Sequence, residues 1–536
     1  MSAVKPASGN DSDELVYAPA ILILSHDLYP RKLEVIREYI QNASDALDEF
    51  ISIADVIDDH AEPQIKVSVQ GRSVLIFDNG IGMDRHQMEN LRRIAYSEKK
   101  EGQEAGYKGI GRLAGIAVAD KLTISSTSYG DPKLHHFEFR AKEMRDEVSA
   151  NKRQGLLEPA SDVIRRHTEL LSDDIDPKEH YTIVEIREVN HACEELLDPT
   201  VLKEYIGEIG PVDFSPNFSW GEKISERLRQ TVPDYSPKTI YLATRGGERV
   251  RVYKPYGNEM MIAEPQILDI VDPANPNTVV ACYWFATKGQ QILDKVRPAG
   301  KIFTVDGNDP RGKKRLAGLV YKLFGFSIGD RTLPSRTLWE TSFPRALWFT
   351  GEIHIVDKGV LPTTDRSDFQ ENAARKRLYK AAAVVPAKLN PLAQQISDDR
   401  KAFNDAEKFG RKFRLWKEKL ETQQIERAEF RTIKKELHEE LDVLRRRTDR
   451  SKDKEIQQFG RETARYGRTL DKALDDAKTA TGKNGIADIA SQLEMTSKAK
   501  KVYQIVMDTL SDHYAGEPDE YHEVAAKIST NLRKKY

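Results

Sequence analysis

The chain has 536 residues, of which 39% are hydrophobic and 31% are charged, and its formal net charge is −2. This length allows two to four domains with sizeable cores, and the near-neutral charge excludes a polycationic chain, so any nucleic-acid contact requires a local basic patch. The two cysteines, Cys193 and Cys282, are far apart, which argues against a disulfide scaffold or a zinc site and favours a reducing, cytoplasmic compartment.

The N-terminal region begins with a segment that we expect to be disordered, residues 1–14. It has no signal-peptide pattern, and the apolar run at 18–25 is far too short to cross a bilayer, so no membrane partner is expected. A helix is predicted next, because apolar residues recur there at helical spacing. These residues are Ile36, Ile40, Ala43, Leu47 and Phe50.

The opposite stripe of this helix carries Glu38, Asn42 and Asp45. The amide oxygen of Asn42 can hold a hard cation, and Glu38, one turn away, can take a proton from a water beside that cation. Taken alone, the same stripe also fits an amphipathic helix without any chemical role.

Two strands are predicted at 64–70 and 73–80, joined by a Gly-Arg turn. The second strand ends in Asp78, and a carboxylate in an apolar pocket can accept a hydrogen bond from an exocyclic amine such as that of adenine. Gly80 and Gly82 follow, and glycines let the backbone approach a flat ring without a Cβ clash. The alternative for this segment is an ordinary tight turn.

A glycine-rich segment follows at 106–111 and leads into an apolar, helix-like stretch. Such a loop can present backbone N–H groups to phosphates, although it lacks the Walker spacing and is common on its own. Further strands are predicted at 121–128, 135–141 and 181–188. The polar, acidic stretch at 142–178 is interpreted as an insertion or a long loop.

The remainder of the chain divides into an α/β region and a helical region. Strand candidates of a second domain lie at 239–245, 278–287, 301–306 and 346–357. From about 398 to 480, glycine and proline are nearly absent, and a helical tail is expected from 485 to 536. One seam of spaced apolar residues indicates a long helix or helical hairpin of coiled-coil type, which serves either intramolecular packing or association with another chain. Its residues are Phe409, Phe413, Trp416, Leu420, Phe430, Leu437, Leu441 and Leu444.

Taken in order, four segments resemble the motifs of the GHKL ATPases, the superfamily of gyrase B, heat-shock chaperones, histidine kinases and MutL. EYIQNASDALD begins at Glu38, DNGIGM begins at Asp78, GYKGIG begins at Gly106, and TIVEI begins at Thr182. Tyr181 stands where the family usually has glycine. The resemblance covers residues 15–190. It implies a Bergerat ATPase fold, an α+β sandwich, over residues 15–195. An S5-like α/β transducer over 196–375 and a helical, coiled-coil region over 376–536 are expected to follow.

By this resemblance the chain uses ATP and Mg²⁺, with Asn42 on the metal ion, Glu38 activating the attacking water and Asp78 on the adenine amino group. Residues 97–112 would form a lid over the phosphates, with Lys99 or Lys100, and Lys108, as charge partners. Arg112 stands where the chaperones have an aromatic residue and either contacts phosphate or pairs with an acid. The nucleotide-binding candidates are Asn42, Asp45, Asp78, Gly80, Gly82, Met83, Lys99, Lys108, Gly109, Ile110, Gly111, Arg112 and Thr182.

A fifth match lies in the second domain. GVLPTTDRSDF, residues 359–369, resembles a stretch of the MORC ATPases, with Arg366 in the place of a lysine, and a middle-domain segment of the chaperones. In both relatives the basic residue reaches toward the γ-phosphate, where a cation stabilises charge that develops during phosphoryl transfer. The alternative is a structural ion pair between Arg366 and Asp365 or Asp368.

The favoured interpretation is an ATP-hydrolysing clamp that forms a homodimer when ATP binds. We expect a prokaryotic, MORC-like, DNA-associated protein, with antiviral defence as one candidate role and a DNA or protein client bound through the helical region. A chaperone-type ATPase that acts on protein clients is the alternative. A histidine kinase is disfavoured, because His26 lies too close to Asn42 to occupy a separate dimerisation helix. A topoisomerase or mismatch-repair subunit is disfavoured as well, because no cleavage motif is visible.

Overall fold

The computed structural model describes residues 17–26, 29, 31–57, 60–93, 111–243, 247–258, 265–272, 275–286, 316–340, 343–421 and 427–450, with single positions at 457, 458, 461 and 468. The chain forms two compact units, at residues 1–388 and 389–536. The expected disordered segment 1–14, the strand candidate 301–306 and the tail 485–536 lie outside the described residues.

The first unit contains a mixed sheet of eight strands in the order β5-β4-β3-β6-β2-β1-β7-β8. All neighbours are antiparallel except β1 and β7, which run parallel. The strands are β1 (Gln64–Gln70), β2 (Ser73–Asp78), β3 (Ala119–Thr127), β4 (Lys133–Phe139), β5 (Thr168–Asp174), β6 (Tyr181–Val189), β7 (Thr239–Ala243) and β8 (Arg249–Arg251).

Helices cover one face of this sheet, since α2 packs on β1 and β2 and α4 packs on β3. Side chains alternate across the strands, so the residues that face these helices are apolar and buried, as in β2 with Val74 and Ile76. The helices are α1 (Pro19–His26), α2 (Glu34–Ile57), α3 (Arg85–Glu89), α4 (Ala141–Arg153), α5 (Ala160–Arg166), α6 (Pro199–Ile209) and α7 (Gly221–Thr231), with short 3₁₀ helices at Asn90–Arg92, Gly111–Ala117 and His191–Leu197.

The stretch at 142–178 is not the insertion or long loop that its polar composition indicated. It contains most of α4, all of α5 and the edge strand β5. In α4, Ala141, Met144 and Val148 are buried at helical spacing, while Lys142, Glu143 and Asp146 are exposed. Arg145 is largely buried and donates to the backbone carbonyls of Ile116 and Ala119. Three apolar residues in thirteen are enough to anchor the helix, and the sequence interpretation missed this pattern.

A second sheet of five strands has the order β12-β11-β13-β10-β9, with β11 and β13 parallel. Its strands are β9 (Gln266–Asp272), β10 (Asn275–Ala286), β11 (Gly318–Leu323), β12 (Phe326–Ile328) and β13 (Phe349–Ile355), and helices follow at Thr332–Trp339, Phe343–Ala346 and Ala373–Ala382. The strand candidate at 239–245 was expected in this second α/β layer. It instead forms β7, which pairs with β1 of the first sheet. The predicted domain boundary at 195 stays a prediction.

A buried ionic network fixes the end of α6 to the second sheet. Lys322 is 1% exposed and donates to the backbone carbonyl of Glu208 over 2.8 Å. Arg331 donates from Nε to the Glu208 carboxylate over 3.1 Å. Deeper in the same layer, the Nζ atom of Lys254 lies 2.9 Å from both carboxylate oxygens of Glu352. Cations at the carboxyl end of a helix are favourable, because backbone carbonyls lack partners there.

The second unit comprises the larger part of a helix at Val384–Glu421 and a helix at Arg427–Thr448. Ion pairs between Lys412 and Glu440 and between Asp405 and Arg447 hold these helices side by side and antiparallel. The seam residues Phe409, Leu437 and Leu444 are buried. Here the described part of the seam packs within the chain, while a coiled coil over the whole region stays a prediction. Across the residues that the structure describes, no helix has the length and apolar character needed to span a bilayer.

Candidate functional site

The helix α2 turns the predicted polar stripe toward the edge of the core. Glu38, Asn42 and Asp45 are half-buried on one side of the helix. The opposite side packs into the core, where each apolar residue is at most 2% exposed: Ile36, Ile40, Ala43, Leu47 and Phe50. The predicted helix and its apolar face are confirmed.

Glu38 lies close to two arginines, its sequence neighbour Arg37 and Arg366 from a distant part of the chain. Its Oε1 atom is 3.6 Å from the Nε atom of Arg37 and 3.6 Å from the Nε atom of Arg366. The side chain of Glu38 is 12% exposed, so the carboxylate is largely withdrawn from water. Gly111 packs against the other carboxylate oxygen, because a Cβ atom at Gly111 would lie 2.3 Å from Oε2. The predicted base and the predicted phosphate-binding cation are therefore neighbours.

Arg366 belongs to a short loop after β13, and its backbone adopts a left-handed conformation with φ of 56°. Asp368, one of its two expected local partners, lies 3.1 Å from the guanidinium group of Arg375. The other expected partner, Asp365, offers its backbone oxygen to Arg37 over 3.2 Å. The structure thus places Arg366 against Glu38 of α2, which links the second sheet to the first.

Three polar side chains form a floor beneath α2 where apolar side chains would be expected. Asp78 is opposite Thr182 in the register of β2 and β6, and Thr182 is opposite Ser126 in the register of β6 and β3. All three are at most 8% exposed, and the hydroxyl groups of Ser126 and Thr182 lie 2.9 Å apart. Tyr181, which departs from the family pattern, is on the other face and contacts Phe77 with ring centroids 5.9 Å apart. The departure therefore leaves this polar floor intact.

The carboxyl group of Asp78 is 4% exposed, and the backbone N–H of Gly80 donates to its Oδ1 atom over 3.0 Å. Burial raises the pKa of Asp78 to about 7, and the hydrogen bond from Gly80 opposes this rise only in part. The cost of burying this carboxylate is offset only in part by its hydrogen bond from Gly80. Such a group is suited to accept a further hydrogen bond from a donor group of a ligand.

The turn after Asp78 needs glycine for close packing within the fold. A Cβ atom at Gly80 would lie 2.7 Å from Ala46 of α2, and a Cβ atom at Gly82 would lie 1.8 Å from the carbonyl oxygen of Thr127. Gly82 also has φ of 72°. The glycines allow the turn to pack against α2 and β3. Their expected place beside a bound ring stays a prediction. Met83 follows, and its N–H donates to Ser126 over 2.9 Å.

His180 precedes β6 and contacts the same turn. Its Nδ1 atom is 2.7 Å from the carbonyl oxygen of Gly80, and its ring stacks on Phe50 with centroids 4.6 Å apart. The residue is 7% exposed.

Part of the predicted site lies outside the described residues. This applies to the lid candidates Lys99, Lys100, Lys108, Gly109 and Ile110. Gly111 begins the 3₁₀ helix Gly111–Ala117. Arg112 lies in that helix, and its side chain is outside the described part. The choice between phosphate contact and an acid partner for Arg112 stays open.

Sequence reasoning missed three residues of this region: Arg37, Ser126 and His180. Ser126 had a signal, because it continues the alternation of Leu122 and Ile124 and so marks a polar residue at a buried position. Arg37 and His180 had none, since each meets its partners through contacts that depend on the whole fold.

Residues 31–182 match the family model described as "Histidine kinase-, DNA gyrase B-, and HSP90-like ATPase". Among curated proteins, the chain is 32% identical to the chaperone protein HtpG of Acinetobacter baylyi over 145 residues, which are 24% of this chain and 23% of that protein. It is 34% identical to HtpG of Rickettsia prowazekii over 135 residues, 22% of each chain. It is 32% identical to HtpG of Borreliella burgdorferi over 123 residues, 20% of each chain.

The match therefore covers one segment, and the chain spans less than a quarter of the length of these relatives. That segment begins at the start of α2 and reaches Thr182 in β6, so it includes Glu38, the turn after Asp78 and the polar floor. Residues 31–182 are accordingly a GHKL ATPase domain, a member of the family of histidine kinase-, DNA gyrase B- and HSP90-like ATPases.

Proposed function

We propose that the chain binds ATP with Mg²⁺, hydrolyses the ATP, and works as a homodimer that closes when ATP is bound. The proposal is supported by the domain match and by one observation above all. A glutamate on the helix that carries the family's first motif lies 3.6 Å from an arginine of the second sheet's loop. Hydrolysis of the terminal phosphoanhydride bond of ATP is accelerated by a base that activates the attacking water and by a cation at the transferred phosphoryl group.

The residues present fit the nucleotide. Asp78 offers a buried acceptor for the amino group of adenine, and Ala46, which packs on Gly80, marks that end of the site on α2. Glu38 is eight positions earlier on the same helix, which is about 12 Å along its axis. A nucleoside triphosphate extended along α2 would therefore place its base near Asp78 and its terminal phosphate near Glu38.

The residues also fit the metal ion and the reaction. Asn42 is half-buried one turn after Glu38 and would hold Mg²⁺ through its amide oxygen. The ion, when bound, supplies charge neutralisation at the phosphates. Glu38 would take the proton of the attacking water at a carboxylate oxygen, and Arg366 would stabilise the charge on the terminal phosphate. For this step Arg366 would exchange its contact with Glu38 for one with phosphate.

The test is Glu38→Gln in the full chain, measured by phosphate release and by equilibrium ATP binding. We expect turnover to fall by about 10²- to 10⁴-fold while ATP binding persists, because the base is lost and the pocket is kept. Glu49→Gln is the matched control, since Glu49 lies on the same helix and is exposed. Turnover at the parental rate in Glu38→Gln would contradict the assigned role, and no ATP binding by the parental chain would contradict the whole proposal.

For the client, we propose a protein in preference to DNA. The relatives reported above are named chaperones, whereas the expected MORC-like, DNA-associated role has no specific support from the comparisons. Phosphate release should therefore rise with an unfolded protein and stay at the basal rate with double-stranded DNA. The reverse result would favour the DNA-associated role.

A further inference from the structure

The part of the turn from Gly80 to Met83, which follows the proposed base-binding carboxylate of Asp78, is held by three hydrogen bonds to other segments. The N–H of Ile81 donates to the carbonyl of Ala46 over 3.1 Å, and the N–H of Met83 donates to the hydroxyl of Ser126 over 2.9 Å. The third contact is the one between His180 and the carbonyl of Gly80, over 2.7 Å. Because a carbonyl oxygen only accepts, the Nδ1 atom of His180 must carry the hydrogen.

His180 acts on Asp78 through a single intervening residue. Gly80 donates its N–H to the Oδ1 atom of Asp78 over 3.0 Å and receives the His180 hydrogen bond at its carbonyl oxygen. The Cα atom of Gly80 is fixed between these contacts, because Ala46 occupies the space where a Cβ atom would lie. The chain of contacts from His180 to Gly80 to Asp78 therefore sets the position of the carboxylate.

We propose that His180 is a positioning residue for the purine base, which acts through Gly80 to aim Asp78 and so favours purines with a 6-amino group. This inference rests on the proposed function, since it concerns the base end of the same nucleotide. In this proposal, the carboxylate of Asp78 accepts the hydrogen bond from the 6-amino group. The direction in which it accepts determines how strongly an amino group is preferred over a hydrogen at the same ring position.

A merely structural role for His180 has a clear physical basis as well, because its ring stacks on Phe50, which is 1% exposed. The two roles are carried by different parts of the side chain. His180→Phe keeps an aromatic ring for the stack and removes the donor. His180→Asn removes the ring and keeps an N–H near the place of Nδ1. Phe50→Leu removes the stack and leaves the donor of His180 in place.

The experiment measures the affinity of the full chain for ADP and for purine riboside 5′-diphosphate, which lacks the 6-amino group, together with the thermal midpoint. We expect the parental chain to prefer ADP. His180→Phe should weaken ADP binding by about 3- to 10-fold, the effect of one hydrogen bond, and leave binding of the analogue unchanged. His180→Asn and Phe50→Leu should keep the preference for ADP, even where they lower the thermal midpoint.

Three outcomes would overturn the inference. Parental ADP affinity in His180→Phe would show that the donor is not needed. Equal losses for ADP and the analogue would show that His180 supports the site as a whole without selecting the base. Loss of the preference for ADP in Phe50→Leu, with His180 intact, would show that the preference depends on the ring stack between Phe50 and His180. If the parental chain bound neither nucleotide, the proposed function itself would fail, which is a distinguishable result.

Discussion

Asp78 shows at the scale of one residue how a proposed binding group opposes stability. Its carboxyl group is buried, and its pKa is raised to about 7 in the folded chain from an ordinary value of 3.8. Between these two pH values the folded chain binds more protons than the unfolded chain, so stability falls as pH rises from about 4 to 7 and stays reduced above that range. A nucleotide that donates a hydrogen bond to Asp78 would relieve this penalty.

We therefore expect Asp78→Asn to raise the thermal midpoint of the ligand-free chain at pH 8 and to weaken ATP binding. The amide is neutral and can still accept from Gly80, whereas it no longer presents a charged acceptor to adenine. The gain in thermal midpoint should shrink at pH 5, where much of the parental Asp78 is protonated. For the same reason, parental ATP affinity should weaken between pH 8 and pH 6. Unchanged ATP affinity in Asp78→Asn would remove this residue from the base pocket.

Single residues differed in how far their sequence context revealed them. Asp78 ends a strand whose buried positions are otherwise apolar, so its place in the fold could be inferred locally, while its role as an acceptor for adenine stays a prediction. His180 meets Gly80 across a separation of 100 residues in the chain. No local pattern encodes such a contact, because it follows from the antiparallel register of β2 and β6.

At the scale of elements, the loop after β13 connects the second sheet with the candidate site on α2. Its Arg366 is 7% exposed and contacts Glu38 while its backbone is left-handed. This conformation strains residues that carry a Cβ atom, so Arg366 and an alanine in its place bear the same strain and glycine relieves it. A loss of activity in a glycine variant is then due to the lost cation and not to added strain.

Arg366→Gly and Arg366→Lys test the role of this cation. Arg366→Gly suits the backbone and removes the cation, so kcat should fall strongly while ADP affinity stays nearly unchanged, since ADP has no γ-phosphate. Arg366→Lys should keep partial activity, because a point charge remains without the two-pronged geometry of guanidinium. ATPase kinetics and ADP titration check both. If Arg366→Gly hydrolyses ATP at the parental rate, the contact with Glu38 is structural only.

The contact between Lys322 and the carboxyl end of α6 gives a second prediction at this scale. Burial, helped by the nearby cations Lys254 and Arg331, lowers the pKa of Lys322 to about 7 against the opposing charges of Glu352 and Glu208. The folded chain thus binds fewer protons than the unfolded chain between pH 7 and about 10.5, so this group makes stability rise with pH in that range.

We expect the difference in unfolding free energy between the parental chain and Lys322→Met to shift in favour of the parental chain as pH increases from 7 to 9.5. Methionine is close to lysine in shape and does not titrate, so the other ionisable groups cancel in the comparison. Urea denaturation at the two pH values measures it. A constant difference would mean that Lys322 keeps an ordinary pKa in the folded chain.

Elements with strong periodicity were predicted correctly, among them α2, β1, β2 and β6. The failure at 142–178 has a physical reason, since α4 buries only a narrow stripe and its many charges resemble those of a solvated loop. The strand at 239–243 was recognised as a strand, whereas its pairing with β1 was not. Pairing between parallel strands that are far apart in the sequence leaves no mark in either segment, because the pattern of one strand does not identify its neighbour in the sheet.

For the whole molecule, the proposed clamp predicts a response to nucleotide. A ligand shifts a conformational equilibrium only if it binds one state more tightly, so closure should depend on the γ-phosphate. Small-angle scattering should show more compact dimers with a non-hydrolysable ATP analogue than with ADP or without nucleotide. Arg366→Gly should weaken this response, since the second sheet would lose its cation at the phosphate. Identical profiles in all three nucleotide states would contradict the clamp.

The parallel pairing of β1 with β7 also has a consequence for the order of events during synthesis. Gln64 pairs with Thr239, so β1 gains its second neighbour in the sheet only when β7 has been synthesised. The strand β7 is made long after β1 and β2. Until then, β1 has an open edge whose backbone groups lack partners and can pair with other chains. Such long-range closure slows folding, because loop entropy is lost before the contact forms. A ribosome paused before residue 239 would thus present an ATPase domain with its motifs complete and its sheet unfinished.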